Sequence, residues 1–518
     1  MASFYIENFG CRATQADGAA LESQFLERGL ERARAARDAE IVVLNTCTVT
    51  EGADKDARAS IRRVRRENPD CRILVTGCYA QRAPEELAAL PGVTWVVGNS
   101  HKHQAAEIAT SPDSSSRGFV PLAQLSGNPF AVDLQNNIFV GDIFAHTELL
   151  AAPVFEAANE RTRPNLKVQD GCDNRCSFCV IPYVRGRSRS LPMERVLGEV
   201  RSLVSAGYRE VVISGINLGR WGRDLQGDGV GRTLLSVAVG VGFNGSTNSK
   251  SKAKSTATDK SVRPTRFPDL VRAILEQTSL EKLRISSVEP MDWSDELIEL
   301  MASSPRIAKH AHVPLQSASD AVLRRMHRKY RPWHYREKVM KIRNAMPSAA
   351  IGADVMVGFP GETEAEFAET CRMIEELPLT YLHVFTYSAR PGTRAATHVN
   401  QVPVDVARDR NQVLREIAAA KKAAFLQAQV GKVVEAITLR TGDGEFTDAL
   451  SDNYLKLKIP GDLKPNRWIE VRIERALGDG LAGRACSPPS RRGEPQTEVT
   501  VKNTEKSNKI IDLQPFAG

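Results

Sequence analysis

Residues 171–179 read GCDNRCSFC, and this stretch closely follows an apolar segment, Leu166 to Gln169, that is predicted to be a β-strand. Three thiols so near one another can all contact one centre when the backbone wraps around a metal ion or a cluster. A zinc site normally has four ligands, and no histidine or further cysteine lies within 25 residues on either side. A 4Fe-4S cluster bound by Cys172, Cys176 and Cys179 keeps one iron open for another ligand. The spacing therefore favours a cluster, with a zinc knuckle or packed thiols as the alternative.

The cysteine stretch opens a region in which apolar segments alternate with helical patterns. Six strand-helix repeats over ~225 residues fall short of a full eightfold barrel, so we expect an open or partial (β/α)6 barrel. The segment Gly245 to Arg266 interrupts this region; it has no aromatic residue and is rich in Ser, Thr and Lys, which predicts a disordered insertion. The predicted strands are Leu166 to Gln169, Val211 to Ser214, Lys282 to Ser286, His312 to Leu315, Ile351 to Val357 and Tyr381 to Tyr387, and the helices include Glu194 to Ala206, Ser294 to Ala302 and Thr363 to Leu377.

The same alternation marks the chain from its start to about Lys102, which predicts a parallel sheet with crossover helices. Cys11, Cys47 and Cys78 each follow the carboxyl end of a predicted strand. Because these ends share one edge of a parallel sheet, the three cysteines are expected to converge as a second three-ligand set, with coincidence as the alternative. The predicted strands are Phe4 to Phe9, Ile41 to Leu44, Arg72 to Val75 and Val93 to Val97, and the helices include Gly18 to Leu30 and Ala53 to Arg66.

The last part of the chain changes character. A basic helical stretch from Val404 to Gln429 precedes apolar segments separated by turn signals, which suggests a small antiparallel β-barrel. The stretch Thr110 to Asn136 and the tail from Ser487 are polar and Pro-bearing, as in a linker and a disordered terminus. The predicted barrel strands are Val433 to Leu439, Leu455 to Ile459 and Trp468 to Ile473.

Composition bounds the function classes. The chain has 518 residues, of which 42% are hydrophobic, so a wholly disordered protein is excluded and about three domains are expected. No apolar run reaches the ~18 residues of a membrane-spanning helix, and the start MASFYIENFGC does not resemble a secretory peptide, so we expect a reducing cytoplasmic setting without a membrane partner. A net charge of +8 indicates nucleic acid only weakly. Of nine cysteines, Cys71, Cys371 and Cys486 are expected to be inert thiols.

Several phrases stand in order along nearly the whole chain: Cys11, NTCTVT around Cys47, GCYAQ around Cys78, QDGCDNRCSFCVIPYVRGRSRS, SGINLGRWG, RISSVEP, HVPLQSASD, DVMVGFPGET and HVFTYSARPGTRA. Together these phrases resemble the radical S-adenosylmethionine (SAM) methylthiotransferase family. The blocks RGRSRS and SGINLG most resemble its branch acting on threonylcarbamoyladenosine beside the tRNA anticodon. Thr14 stands where the family usually has Asn, and Ala318 replaces a usual Gly.

This resemblance implies a tRNA methylthiotransferase that converts N6-threonylcarbamoyladenosine to its 2-methylthio form. It implies two 4Fe-4S clusters: one at Cys172, Cys176 and Cys179 that delivers an electron to SAM, and an auxiliary one at Cys11, Cys47 and Cys78 that carries the sulfur. The partners are then SAM, the tRNA anticodon stem-loop and an unidentified electron donor. The alternatives are the same chemistry on N6-isopentenyladenosine and a non-enzymatic, RNA-binding iron-sulfur sensor.

Further site residues follow from the resemblance and from their places beyond strand ends. Candidates for SAM binding are Gly215, Asn217, Ser286, Glu289, Gln316, Gly358 and Pro360, although Gly and Pro in such places are often plain turn residues. Candidates for RNA binding are Arg185, Arg187 and Arg189, as alternating cations on an extended segment, and Lys456, Lys458 and Arg467 in the C-terminal barrel. The barrel's Phe446, Tyr454 and Trp468 would stack on bases or fill its core.

The expected fold class is α/β, with an N-terminal parallel domain, a central partial barrel and a C-terminal TRAM-like β-barrel. The predicted division is an N-terminal methylthiotransferase domain over 1–108, a linker over 109–160, a radical SAM domain over 161–400 with the insertion 245–266, a helical connector over 401–428, the RNA-binding barrel over 429–486 and a disordered tail over 487–518.

Overall fold

The computed structural model describes residues 2–111, 137–146, 149, 162–225 and 265–486. Most of the predicted linker Thr110 to Asn136, the predicted insertion as far as Pro264 and the tail from Ser487 lie outside the described residues. Within the described ranges, no helix is both long and apolar enough to cross a membrane.

The N-terminal region is a six-stranded sheet in which every pair of neighbouring strands is parallel, as predicted. The central strand Ile41–Thr46 is buried throughout, because Val42 and Leu44 pack into one apolar cluster and Ile41 and Val43 into another on the opposite face. In sheet order the strands are Glu31–Arg32, Ser3–Asn8, Ile41–Thr46, Arg72–Gly77, Val93–Gly98 and Ile138–Phe139, and the α-helices are Arg12–Glu27, Glu51–Glu67, Cys78–Arg82, Pro84–Ala88 and Ala105–Thr110.

The first helix begins at Arg12, earlier than the predicted start at Gly18. Gly18 lies inside the helix, and a Cβ at this position would come within 2.0 Å of the Asn8 side chain. The glycine therefore serves close packing of the helix on the first strand and does not end the helix. The second helix, Glu51–Glu67, includes the predicted segment Ala53 to Arg66 and is amphipathic, with Ala57, Ile61 and Val64 buried on one side and Thr50 capping its start.

The central region has six parallel strands in two hydrogen-bonded sheets, which confirms the expected partial barrel. Isolated parallel bridges, Leu283 to Ile307 and Ser287 to His312, join its two hydrogen-bonded parts. The fourth strand is short, His310–His312, but backbone hydrogen bonds from Val313 and Leu315 to the next strand continue beyond it. The parallel strands are Asn165–Asp170, Glu210–Gly215, Lys282–Ile285, His310–His312, Ala350–Val357 and Tyr381–Thr386, with Arg189–Ser190 antiparallel at the edge, and the helices are Ile181–Arg185, Met193–Ser205, Phe267–Gln277, Asp295–Ser303, Asp320–Arg325, Pro332–Ala345 and Glu364–Glu376.

Two segments of this region differ from the sequence prediction. The helix Phe267–Gln277 was not predicted, and Arg266, assigned to the insertion, caps it: its backbone N–H donates to Asp269 at 2.7 Å and its guanidinium pairs with Glu296 at 2.8 Å. The segment expected to extend from Arg185 to Arg189 is instead the end of helix Ile181–Arg185, followed by Gly186 at φ +74°. The three arginines therefore do not alternate along a strand.

The C-terminal region is a closed five-stranded barrel reached through the helix Val404–Gln427. Its core contains Ala436, Leu457, Ile459, Val471 and Leu481. All pairings are antiparallel except that between Lys456–Pro460 and Gly480–Ala485. In barrel order the strands are Val433–Gly442, Phe446–Ser451, Lys456–Pro460, Gly480–Ala485 and Trp468–Leu477, of which the second and the Gly480–Ala485 strand were not predicted.

Candidate active site

The first cysteine set lies on the loop beyond the strand Asn165–Asp170. Gly171 has φ +70°, and a Cβ there would come within 1.9 Å of the Arg187 carbonyl oxygen, so only glycine fits this turn. N–H groups converge on two of the sulfurs. The Asn174 backbone N–H and the Asn217 side-chain amide donate to Cys172 Sγ at 3.4 and 3.7 Å, and Arg328 Nη1 donates to Cys176 Sγ at 3.4 Å.

The donor chemistry of this loop fits an iron-sulfur cluster. Burial, together with the neighbouring Cys176 thiolate, raises the pKa of Cys172 to about 11 and that of Cys179 to about 12. The free thiols of Cys172 and Cys179 are therefore protonated at neutral pH, whereas a bound metal removes the proton from a coordinating thiol. Donors aimed at the sulfurs stabilise thiolate ligands, as outer-sphere hydrogen bonds do in metal sites.

The second set comes together at the carboxyl edge of the N-terminal sheet. Cys11 precedes the helix Arg12–Glu27, Cys47 follows the strand Ile41–Thr46, and Cys78 begins the helix Cys78–Arg82. Burial, then the Cys78 and Cys11 thiolates, raises the pKa of Cys47 to about 12. Gly10 has φ +99°, and a Cβ there would lie 2.6 Å from Cys47 Cβ, so the chain passes close beside this cysteine.

This second set also has the donor chemistry of a cluster site. The Asn99 side-chain amide donates to Cys78 Sγ at 3.6 Å, and Thr14 Oγ1 lies 3.6 Å from Cys11 Sγ. Thr14, one of the departures from the family pattern, thus contacts a candidate ligand directly. Three convergent sulfurs, one of them exposed at Cys11, suit a cluster with an accessible iron.

Other cysteines lie apart from both sets. Cys71 is buried in the apolar cluster beneath the N-terminal sheet, and Cys371 packs against the central core.

The second departure from the family pattern, Ala318, is buried, and its N–H donates to Thr370 Oγ1 at 3.1 Å.

A buried network of charges joins the N-terminal and central regions beside the cysteine sets. Asp17 on the first helix accepts hydrogen bonds from Lys102 Nζ at 3.0 Å, from Arg185 Nη2 at 2.9 Å and from Lys167 Nζ. Asp170 accepts both Arg185 Nη1, at 3.0 Å, and Lys167 Nζ, at 2.8 Å. All five side chains are at least nine-tenths buried. Burial opposes the charge on Asp17, but the three cations hold its pKa well below the usual range.

This network corrects the prediction for Arg185. Its side chain is 2% exposed and pairs with two carboxylates, so it is not available to a polyanion. Arg189 is half-buried and donates to the carbonyl oxygens of His146 and Arg185, at 3.1 and 2.9 Å. Arg187 alone of the three is exposed.

The C-terminal candidates divide by exposure. Lys456, Lys458 and Arg467 are exposed, with Lys456 paired to Asp479 at 2.7 Å. Phe446 is also exposed, at 37%. Tyr454 and Trp468 instead face the central region, where Tyr454 packs on the His310 ring at 4.5 Å and Trp468 lies under Lys282 Nζ at 5.0 Å. These two aromatic rings therefore serve docking between regions, a role that sequence reasoning did not propose.

The SAM candidates each lie at or beyond the carboxyl end of a central strand. Asn217 contacts Cys172, as described, and Glu289 pairs with Arg328, which also holds Cys176. Gln316 has φ +62°, and among the described residues its Oε1 has no hydrogen-bond partner although it is buried. Gly215 is the last residue of its strand and lies against Gln169. Ser286 directly follows its strand, and its backbone N–H donates to the Ile213 carbonyl oxygen at 3.1 Å. Gly358 has φ +72° and packs against Ala407, and Pro360 is buried.

Sequence reasoning missed several polar side chains inside the partial barrel. Three adjacent strands carry His312, Asp354 and His383, whose potential metal-ligand atoms all lie within 4.8 Å of one another. Ser287 Oγ lies 2.9 Å from His312 Nδ1 and orients that ring. Each residue stands within a phrase that carried the family resemblance, but an isolated His or Asp on a strand gave no reason to group them before the strand register was known.

Known proteins resemble this chain over most of its length. Residues 3–98 match the family described as "Uncharacterized protein family UPF0004", and residues 166–374 match the "Radical SAM superfamily". The chain is 34% identical over 481 residues, 92% of this chain and 94% of the relative, to threonylcarbamoyladenosine tRNA methylthiotransferase MtaB of Bacillus subtilis (strain 168). It is 32% identical to the protein of the same name in Aquifex aeolicus (strain VF5), over 90% of this chain and 99% of that one. It is 30% identical to tRNA-2-methylthio-N(6)-dimethylallyladenosine synthase of Syntrophobacter fumaroxidans, over 94% of this chain and 96% of that one.

Proposed function

The chain belongs to the radical SAM methylthiotransferase family, and from this premise we propose that it methylthiolates carbon 2 of N6-threonylcarbamoyladenosine next to the anticodon of tRNA. Relatives named for this substrate support the choice, at 34%, 33% and 32% identity, whereas relatives named for dimethylallyladenosine are 29–31% identical. The cofactors are SAM and 4Fe-4S clusters.

The proximity of the two cysteine sets is the observation that carries the proposal. Cys78 packs in one small apolar cluster with Val180 and Val184, and Val180 directly follows Cys179. The two sets are therefore adjacent across the boundary between the N-terminal and central regions. A reaction that joins radical formation to sulfur transfer needs this proximity, because the radical and the sulfur must act on the same carbon.

We assign Cys172, Cys176 and Cys179 to the SAM-binding cluster and Cys11, Cys47 and Cys78 to the auxiliary cluster. When bound, the clusters supply the electron that cleaves SAM and the site that carries the sulfur. Asn217 and Arg328 hold the ligand sulfurs through hydrogen bonds, and Glu289 keeps Arg328 in place. The unpartnered Gln316 Oε1 would accept an N–H or O–H of SAM. The remaining residues proposed to bind SAM are Gly215, Ser286, Gly358 and Pro360.

The five-stranded barrel is proposed as the RNA-binding module of residues 429–486. Lys456, Lys458 and Arg467 are exposed cations, and the exposed Phe446 ring on the same barrel offers a face to an unstacked base. Arg187, exposed beyond the Cys172 loop, is proposed as a further contact. We also propose a cytoplasmic location, where tRNA is present and reducing conditions keep the cysteines available as ligands, and an electron donor of unassigned identity.

Mass spectrometry of tRNA nucleosides tests the substrate. In a deletion strain of the source organism, we expect N6-threonylcarbamoyladenosine to accumulate and its 2-methylthio form to disappear, and the intact gene to restore it. A strain complemented with the Cys172→Ala, Cys176→Ala, Cys179→Ala variant should resemble the deletion. Loss of the 2-methylthio form of isopentenyladenosine instead would assign the other substrate and contradict the proposal.

A further inference from the structure

A cavity of about 470 Å³ lies where the three regions of the protein meet. The N-terminal region contributes Arg12, the partial barrel contributes Arg163 and Asn165, and the C-terminal barrel contributes Arg440, Thr441 and Tyr454. Its volume is in the range of small-ligand sites. Arg12 directly follows Cys11, so one wall of the cavity adjoins the proposed auxiliary cluster.

The lining carries three arginines and, among the residues that the structure describes, no carboxylate. Arg12 Nη2 donates to the Tyr454 hydroxyl at 3.2 Å, which leaves its charge without an anionic partner among the ion pairs described. Arg440 is exposed, and its backbone N–H donates to Thr162 Oγ1 at 3.2 Å. A cluster of cations with so little compensation attracts an anion.

The Glu210 carboxylate, which lies behind the cavity wall, does not neutralise the cations of the lining. Glu210 Oε1 lies 3.4 Å from Arg163 Nη1, but it is also held at 2.6 Å by Arg284 Nε. A single carboxylate thus serves two guanidiniums. Burial lowers the pKa of Arg163 from its usual value despite the attraction of Glu210, as expected for a cation that is only partly compensated.

Polar groups accompany the charges. Asn165 Nδ2 donates to the Arg12 carbonyl oxygen at 2.8 Å, whereas Asn165 Oδ1 is buried and has no partner among the described residues. A buried acceptor of this kind costs free energy until a donor reaches it. The cavity therefore suits a ligand that combines an anionic group with N–H or O–H donors, and it does not suit an apolar group, which would leave the arginines and the amide without partners.

We propose that this cavity receives the N6 side chain of the substrate base, with the threonyl carboxylate bound by Arg12, Arg163 and Arg440 and an N–H of the carbamoyl group donated to Asn165. The assignment rests on the proposed function, because only the threonylcarbamoyl substrate carries this carboxylate. An isopentenyl group has neither charge nor hydrogen-bond donors, so the cavity discriminates between the two substrates. A site built to hydrogen-bond its ligand rejects an analogue that lacks those groups far more strongly than an apolar pocket does.

Phosphates of the anticodon loop are the other source of anionic groups, and a binding experiment distinguishes the two. Two synthetic anticodon stem-loops that differ only in carrying threonylcarbamoyladenosine or adenosine are titrated into the full-length, cluster-reconstituted protein under anaerobic conditions, with fluorescence anisotropy as the readout. We expect the wild type to bind the modified RNA about tenfold or more tightly than the unmodified RNA, because a charge-assisted hydrogen bond is gained.

Arg440→Gln is the main variant, because its exposed side chain leaves folding intact. We expect it to reduce the preference to about threefold or less by weakening only the modified RNA. Arg12→Gln should act in the same way and Arg12→Lys should restore part of the preference, with iron content measured to exclude cluster loss. Arg475→Gln removes an equal charge from the far end of the strand Trp468–Leu477 and should keep the preference.

The outcomes separate the cavity assignment from the proposed function. If Arg440→Gln and Arg12→Gln weaken both RNAs equally, the arginines bind phosphate and the assignment is overturned. If the wild type prefers the modified RNA and both variants retain that preference, the assignment also fails, while the proposed function stands. If the wild type shows no preference for the modified RNA and does not methylthiolate it, the proposed function itself fails.

Discussion

Asp17→Asn provides a sharp test of how the N-terminal and central regions are held together. In the wild type, two buried carboxylates, Asp17 and Asp170, compensate three buried cations, Lys102, Lys167 and Arg185. The substitution keeps the shape of the side chain but leaves three buried cations with one carboxylate. Removing one partner of a buried ion pair costs about 3–5 kcal/mol, because the other charge remains buried without compensation.

The expected consequence is a lower unfolding temperature. At about 2–4 °C per kcal/mol for a domain of 150–250 residues, the cost corresponds to a decrease of about 6 °C or more. Thermal unfolding of the reconstituted protein at pH 7, followed by tryptophan fluorescence without oxygen, measures this change. Asp38→Asn is the matched control: Asp38 is 54% exposed and lies 3.8 Å from an exposed arginine, so no measurable change is expected.

The pH dependence of the same pair of proteins gives a second readout. Because the folded-state pKa of Asp17 is held well below its usual value, its stabilisation is complete above the unfolded-state pKa of ~3.9 and is lost as the pH falls through the folded-state value. The difference between wild type and Asp17→Asn should therefore be constant from pH 8 to about pH 5 and shrink only in stronger acid. Equal unfolding temperatures for Asp17→Asn and Asp38→Asn at pH 7 would refute the reasoning.

Three further outcomes are expected. Anaerobic reconstitution should give about eight irons per chain in the wild type and about four after triple Ala replacement of either cysteine set. Formation of 5′-deoxyadenosine should be lost only when Cys172, Cys176 and Cys179 are replaced, and a plateau of four irons in the wild type would contradict two clusters. Gly10→Ala should lower the iron content towards four, because at φ +99° the new Cβ would lie 2.6 Å from Cys47 Cβ. Gly478→Ala, at a position with open space around it, should keep the iron content of the wild type, and equal iron contents in the two variants would show that the close approach at Gly10 is not required. Replacing Lys456, Lys458 and Arg467 together by Gln should reduce the salt-dependence slope of tRNA binding by about 2, from ~0.7 per phosphate contact on single strands, and an unchanged slope would remove the barrel from the RNA interface.

Much of the architecture was readable from local patterns. The six parallel strands of the central region were predicted from mainly apolar runs such as Ile351 to Val357, because strands of a parallel sheet are covered on both faces. The placement of Cys11, Cys47 and Cys78 beyond three strands predicted their convergence, since carboxyl ends of parallel strands share an edge. Element bounds were less accurate where packing decided them, as at Gly18, which lies inside a helix because of the nearby Asn8 side chain.

Contacts between segments that are far apart in the chain could not be predicted from local sequence patterns. Arg185 looked like an exposed cation beside Arg187 and Arg189, but it is buried because Asp17, 168 residues earlier in the chain, meets it across the boundary between regions. Tyr454 looked like a base-stacking ring, but a turn at φ +67° directs it against His310. Neither partner can be identified from sequence spacing.

The sequence by itself determined the α/β class, the two three-cysteine sets and the family, because thiol spacing and strand-helix periodicity are local properties that the chain carries in order. Only the tertiary structure decided which charges are buried, which aromatic rings dock one region on another and where three arginines surround one cavity. These features depend on the free energy of burying a charge or a ring against a particular neighbour. That neighbour is brought close by the fold and not by the order of residues.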